Sequence, residues 1–435
     1  MQHCTSPRYS LENESAGLPT QAQSIIGYTR IMDSRRNFIG KVATGLAGTL
    51  AAGPAEVLGA ADRIRVGVIG AGDRGTELVS QIRACPNTEI AAFADIYTRN
   101  LERAQAGIAG AAGYSDYRRL LEDRSIDAVV IATPPHLHAA QFAAALDAGK
   151  HVYVERVMAF SLDHAKSMRA AHQKHSNLTV QVGHQACSFG HMADVRQFLS
   201  EPDRLGRITA VTMQMHRNTP AGKPQWARPV LLTPDLNEQN VAWEDFLGDA
   251  PARPFDANRL VHWRYFWETS GGSVFEGMSQ QVAFWYKALR LQIPRTASME
   301  GGIYLWKDGR ETPDTVSVNL QQPEEILINW VSGFGNNQLG VSEDVLGTHG
   351  TISRTAQVRY TPQKTNRPAA VEMAGRSSHV PHAHMQNFFD CVRSGKEPNC
   401  PFDLGYRVSV ACRMAVDSYR LGRALRWDAA REEIV

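Results

Sequence analysis

Cysteine is scarce in this chain. The six residues, Cys4, Cys85, Cys187, Cys391, Cys400 and Cys412, are scattered and form no Cys-x-x-Cys pair, so a thiolate metal site has no support. Excess charge is missing too: 46 basic side chains face 44 acidic ones, for a net +2, with no long basic run. A phosphate-backbone partner calls for a basic stripe, and nucleic-acid binding is not expected. Beyond residue 62 no apolar stretch is long and charge-free enough to span a bilayer, which predicts a soluble mature protein. Repeats and low-complexity linkers are absent as well. What remains is 435 residues with 43% hydrophobic content, enough for two domains with real cores.

The N-terminus departs from globular sequence. Ser34-Arg35-Arg36-Asn37-Phe38-Ile39-Gly40-Lys41 matches a twin-arginine export signal, followed by an Ala/Gly-rich apolar run and small residues at Gly59-Ala60-Ala61. Residues 1–61 therefore read as leader and signal peptide, with Met32 the expected natural start. The expected partner is the twin-arginine translocase, and the expected location is the periplasm or another extracytoplasmic space. Export would permit a disulfide, for which Cys391 and Cys400 are the nearest pair after the first domain, although buried free thiols are commoner.

The strongest signal begins at Arg63. Ile64, Val66, Val68 and Ile69 read as a buried parallel strand that runs into Gly70-Ala71-Gly72-Asp73-Arg74-Gly75 and then a helix. A GxGxxG in this context needs glycine for the turn, for close approach of a pyrophosphate and for packing of helix on strand. The anion then sits at a helix N-terminus. A second strand, Glu89–Asp95, ends in a carboxylate 20 residues after Gly75, the position that holds a ribose. Asp95 favours NAD, because it repels a 2′-phosphate; the nearby Arg99 keeps NADP possible.

Strands and helices alternate onward: strand Ala128–Thr133, loop Thr133-Pro134-Pro135-His136-Leu137-His138, strand His151–Glu155, helix Ser161–His175, strand Thr179–Gly183. Such alternation predicts a doubly wound parallel sheet over residues 62–185. Ligands lie beyond the carboxyl ends of its strands, where Thr133–His138, Glu155–Val157 and Gly183–Gln185 fall. Residues 186–435 then read as an α+β domain on a mainly antiparallel sheet, with strands Arg207–His216, Thr296–Trp306, Thr315–Leu320, Ile326–Gly333 and weaker ones between Gly350 and Tyr360. A long irregular segment occupies 218–266, helix Glu276–Leu289 follows, and the chain is expected to end in helices.

Together these pieces resemble the Gfo/Idh/MocA oxidoreductases, the family of glucose–fructose oxidoreductase and inositol dehydrogenase. The likeness rests on VGVIGAGDRG, YSDYRRLLEDRSIDAVVIATPPHLHA, AGKHVYVERVMA, VQVGHQ, WETSGGSVFEGMSQQ and HMQNFFDCVRSGK, spread over residues 63–427. It implies a Rossmann domain, an open-faced sheet domain, a nicotinamide cofactor, a sugar or polyol substrate, and a dimer or tetramer formed through the open sheet. An NAD-dependent α-N-acetylgalactosaminidase branch of the family also carries twin-arginine signals. The expected cofactor contacts are Gly70, Gly72, Asp73, Arg74, Gly75, Asp95, Thr133, Pro134, His138 and Glu155.

The departures fall on the chemistry. Where the family carries Glu-Lys-Pro this chain has Glu155-Arg156-Val157, and the usual Asp, His and Asp after Gly271-Gly272 are Glu276, Gln280 and Ala283. Arginine keeps its proton and glutamine has none to exchange, so the usual proton shuttle is dismantled. The remaining catalytic candidates are Arg156, His184, Glu155, Gln280 and Glu276, with His184 preferred over His262 as base because imidazole titrates near neutral pH. His262, Arg264 and Tyr265 are expected at the substrate. Seven of the eight tryptophans lie between Trp226 and Trp330, and one or two are expected to stack on a sugar. His379, His382 and His384 have irregular spacing, which disfavours a metal. Three functions compete: a sugar oxidoreductase with tightly held NAD(P), a redox-neutral NAD-dependent glycosidase or lyase, and a non-catalytic carbohydrate-binding protein.

Overall fold

The computed structural model describes residues 63–201, 203–219, 232–363, 371–372 and 380–435. The twin-arginine segment, Cys4, Trp226 and His379 lie outside the described residues.

The first sheet is parallel and six-stranded: β1 (Ile64–Ile69), β2 (Thr88–Ala94), β3 (Ala112–Tyr114), β4 (Ala128–Ile131), β5 (His151–Val154) and β6 (Val180–Val182). Its spatial order is β3-β2-β1-β4-β5-β6, the doubly wound arrangement whose order reverses beside β1. The crossovers are α1 (Asp73–Arg83), α2 (Thr98–Gly107), α3 (Tyr117–Glu122), α4 (His138–Asp147) and α5 (Leu162–Lys174). Because helices cover both faces, β4 is buried at every position and reads Ala-Val-Val-Ile without a polar break. Ala112–Tyr114 is an edge strand of three residues, too short to carry a period.

The second sheet has ten strands. After α6 (Gly190–Leu199) come β7 (Ile208–His216), the short helices α7 (Trp243–Leu247) and α8 (Ala257–Val261), and α9 (Ser279–Leu289). The strands continue as β8 (Thr296–Gly302), β9 (Thr315–Gln321), β10 (Leu327–Gly333), β11 (Val341–Gly347), β12 (Gly350–Arg354), β13 (Val358–Pro362) and β14 (Val371–Glu372). Helices α10 (Ala383–Ser394) and α11 (Phe402–Leu421) precede β15 (Leu425–Asp428) and β16 (Glu433–Ile434), so the chain closes on strands rather than on a helix. The order is β14-β13-β12-β11-β7-β10-β9-β8-β15-β16, antiparallel except where β10 runs parallel to β7. Strand β11 escapes a sequence reading because a charge, Glu343, occupies a core position. Arg354 Nε (2.8 Å) and Trp285 Nε1 (2.7 Å) both donate to its carboxylate, which makes that burial tolerable.

One hydrophobic core runs from Ile131, Val154 and Val182 of the first sheet into Phe275, Trp285 and Trp330. The chain also returns to its beginning: Met385, Phe388 and Phe389 of α10 pack with Val66 and Val68 of β1. The two sheets thus share their packing. Among the described residues, no helix is long and apolar enough to cross a membrane.

Candidate active site

The turn after β1 is built as its glycines require. Gly70 adopts φ +91°, which side-chain-bearing residues rarely tolerate. A Cβ on Gly75 would lie 2.0 Å from the Gly70 carbonyl oxygen, so helix and strand meet only because that carbon is missing. Beside Gly72 there is open space, with nothing within 4 Å of where a Cβ would stand. No side chain caps α1, and its opening turn offers N–H groups and the positive dipole end to the space in front. These residues fit a pyrophosphate.

That space is a cavity of about 440 Å³ lined by Gly70, Gly72, Asp73, Arg74, Asp95, Thr133 and Pro134. Its opposite wall comes from the second domain: Thr233, Leu236, Phe246, Leu260, Trp263 and Arg264. The wall is stitched on by backbone. Ala242 N donates to Ile96 O at 2.9 Å, Thr98 N donates to Asn240 O at 3.0 Å, and a His136 ring nitrogen lies 2.6 Å from Phe246 O. Burial pushes the His136 imidazole down to about 4. Asp95 is half-buried, and its carboxylate accepts from Ala71 N (2.7 Å) and Tyr97 N (2.8 Å). Oδ1 also accepts from Asn100 Nδ2 at 3.5 Å, while Oδ2 keeps a further lone-pair site for a ligand. Burial raises this carboxyl from its ordinary value, against the opposing pull of the two amides and Arg103.

Three expected cofactor contacts do not line the cavity. Gly75 lies under the turn. The ring of His138 is fully buried, with its nitrogens 2.8 Å from Thr133 O and 3.0 Å from Val157 O. It pins the ends of β4 and β5 together and so positions Thr133 and Pro134 rather than touching a ligand. Glu155 is buried beneath Arg74, whose Nε (3.0 Å) and Nη2 (2.6 Å) donate to its Oε1. Burial alone would raise the Glu155 carboxyl, but Arg74 and Arg156 together hold it below the usual range.

The expected catalytic residues do converge, next to the Arg264 end of the cavity. Val274–Met278 forms a widened π turn ahead of α9, a geometry common at functional sites. It turns the Glu276 carboxylate between two guanidiniums, Arg264 Nε at 3.3 Å and Arg156 Nη1 at 3.7 Å. The Glu276 carbonyl accepts from Arg156 Nη1 (2.9 Å) and Gln280 Nε2 (3.2 Å), which ties the two domains together. The peptide linking Arg156 to Val157 is cis.

His184 was preferred as the base, and the structure contradicts that. It is fully buried, and burial followed by the Arg156 charge pushes it down to about 3. An imidazole so disposed against charge does not collect a proton at neutral pH. Of the substrate candidates, only Arg264 reaches the cavity. His262 stacks on Tyr265 at 5.0 Å between ring centroids, and Tyr265 is buried with the Arg310 guanidinium 4.1 Å from its ring centre. Both are packing residues. Trp263 is the tryptophan that lines the cavity, while Trp285 and Trp330 are core.

Neither His382 nor His384 joins a metal cluster; among the described residues no three potential ligands gather, and the ring nitrogens of His384 lie 2.7 Å from Ser188 Oγ and 2.9 Å from Val182 O. Cys391 and Cys400 are free and buried. Sequence reasoning missed Arg103, whose Nη2 donates to Ala71 O at 3.0 Å, and missed Tyr97 and Thr233 at the far end of the cavity, with Asp235 bonded to the Tyr97 hydroxyl. Arg103 follows Arg99 by one helical turn, a spacing that could have flagged it; Asp235 carries no local signal.

Residues 64–184 match the Gfo/Idh/MocA family model, described as an oxidoreductase family with an NAD-binding Rossmann fold. A curated relative, the uncharacterized oxidoreductase YrbE of Bacillus subtilis (strain 168), is 37% identical over 121 residues, 28% of this chain and 35% of the relative. A glycosyl hydrolase family 109 protein of Phocaeicola vulgatus is 38% identical over 111 residues, 23% of this chain and 24% of the relative. The matches thus span about a third or less of these relatives. The WlbA dehydrogenase of Bordetella pertussis, solved with NADH and UDP-GlcNAcA, shares the fold with a TM-score of 0.62 at 21% identity, over 84% of this chain and 99% of that one.

Proposed function

We propose that this protein is an NAD(P)-dependent oxidoreductase acting on a sugar or sugar derivative while keeping its cofactor tightly held. The observation that carries the reading is the cavity over Gly70, Gly72 and Asp95, closed from the other side by the second domain. A dinucleotide held between the two walls would make contacts to both domains, and this favours retention across turnovers. Gly70–Gly75 and the N-terminus of α1 would hold the pyrophosphate, Asp95 the adenosine ribose, and Thr133 and Pro134 the wall toward the reacting end. A bound nicotinamide supplies the hydride acceptor and donor.

The chain supplies the rest. Trp263 and Arg264 offer a ring face and a guanidinium, which suit a sugar ring and its hydroxyls. Glu276 is the acceptor assigned to the hydroxyl proton, since Gln280 does not titrate, Arg156 keeps its proton, and Glu155 is committed to Arg74. Arg156 clamps Glu276 in place of the lysine that the resemblance leads one to expect. The twin-arginine match supports export of the loaded, folded protein. Exposed Leu327, Leu339 and Val341 support a homo-oligomer.

A redox-neutral glycosidase is the second reading, supported by the glycosyl hydrolase family 109 match. The test is to denature purified protein, assay released nicotinamide, and then screen sugars for hydride exchange. Net reduction of the nicotinamide supports the oxidoreductase. Aglycone release without net reduction supports the glycosidase. A folded protein without nicotinamide affinity contradicts both and leaves a binding role.

A further inference from the structure

At the adenosine end of the cavity the second domain delivers a carboxylate to a place where the first domain already has one. Asp235 belongs to the segment carried over the β2–α2 connection by the Thr98–Asn240 and Ala242–Ile96 backbone bonds. Its Oδ2 accepts from the Tyr97 hydroxyl at 2.6 Å, and its Oδ1 accepts from Arg99 Nη1 at 3.0 Å. Tyr97 and Arg99 both line the cavity beside Asp95. The Thr233 and Tyr97 hydroxyls hold the Asp235 carboxyl down at about 2, so it stays charged.

Arg99 is the one basic residue in the opening turn of α2, just past Asp95. In a dinucleotide fold an arginine there is what receives a 2′-phosphate, as a planar fork matched to phosphate oxygens. Here one nitrogen of that fork, Nη1, is already turned onto a carboxylate from the other domain. A 2′-phosphate arriving at this end would have to displace Asp235 from Arg99 while facing Asp95 and Asp235 together. Resting on the nicotinamide reading above, we propose that Asp235 is a specificity residue: by holding Arg99 it makes the site selective for NAD over NADP. Asp95 of the first domain already disfavours a 2′-phosphate, and the second domain strengthens that choice by occupying the arginine.

The test measures dissociation constants for NADH and NADPH by fluorescence titration of the full chain, freed of nucleotide on charcoal. Wild type is expected to hold NADH at least about tenfold more tightly than NADPH. Asp235→Asn keeps the hydrogen bond with Tyr97 but releases Arg99, and NADPH should gain about tenfold while NADH changes by less than about threefold. Adding Arg99→Ala to that variant should erase the gain. Arg99→Ala alone should barely move NADPH, because a held arginine contributes nothing to it; this arm stands even if Asp235→Asn fails to fold. Preference for NADPH in the wild type, an unmoved ratio in Asp235→Asn, or a large NADPH loss in Arg99→Ala alone would each overturn the inference. Wild type that binds neither nucleotide overturns the oxidoreductase reading, and this inference with it; NADH binding without the Asp235 effect overturns this inference alone.

Discussion

The two ends of the cleft are built by different means. At the pyrophosphate turn the structure consists of glycines and backbone amides, with the half-buried carboxylate of Asp95 beside them. At the reacting end it is a set of long charged side chains, Arg156, Arg264 and Glu276, drawn from both domains. The first is backbone geometry, which local sequence dictates. The second is assembled across 120 residues of chain, from 156 to 276, and depends on how the domains dock. The glycine end should accordingly govern whether a cofactor is held, and the charged end what happens to a substrate.

The largest expected effect breaks the charged end alone. Glu276→Gln removes the proposed proton acceptor while keeping shape, and turnover should fall about 10²- to 10⁴-fold, the usual span for general base catalysis. NADH affinity should stay within about twofold, because Glu276 is absent from the dinucleotide cavity. Equal loss of binding and turnover would erase the distinction between the two ends.

The converse variant is Gly75→Ala. Its Cβ would meet backbone, not a side chain that can swing away, so the turn itself must shift. Overpacking of this kind costs about 1–3 kcal/mol. Thermal unfolding and NADH titration should both register it, with a lowered Tm and weakened binding. A variant that binds NADH as well as wild type would show that the turn does not hold the pyrophosphate.

How far the sequence reaches follows the same division. Gly70, Gly72, Gly75 and Asp95 were legible because strand, turn and helix are consecutive and the chemistry fixes their spacing. The parallel sheet was legible from runs such as Ala128–Ile131, buried on both faces. His184 misled for a physical reason: its position after β6 is right, but full burial beside Arg156 lowers its basicity, and burial is not a local property. His262 and Tyr265 misled likewise, since a stacked pair under Arg310 looks in sequence like a binding motif. Asp235 was invisible, because its partners lie 136 and 138 residues away.

A smaller effect concerns pH. Burial lowers His136 and His384 to about 4 and His184 to about 3, so the folded protein keeps them neutral. Unfolding lets each take a proton below its ordinary value of 6.5. The unfolded state binds more protons in that window, and stability should decline as pH falls from about 6.5 toward 4, by up to about 1.4 kcal/mol per pH unit for each histidine. Urea midpoints measured across that range check it. A flat profile would mean that these rings carry protons when folded. The smallest effect is His262→Asn, which lies outside the cavity: turnover and NADH affinity should shift by no more than about twofold.

The central claim, that a dinucleotide lies across Gly70–Gly75 between the two domains, is tested most directly by nicotinamide released when freshly purified full-length protein is denatured. Near-stoichiometric NAD(H) per chain is expected, reduced sharply in Gly75→Ala. Folded wild-type protein that releases none, and takes up none when NADH is supplied, would contradict it.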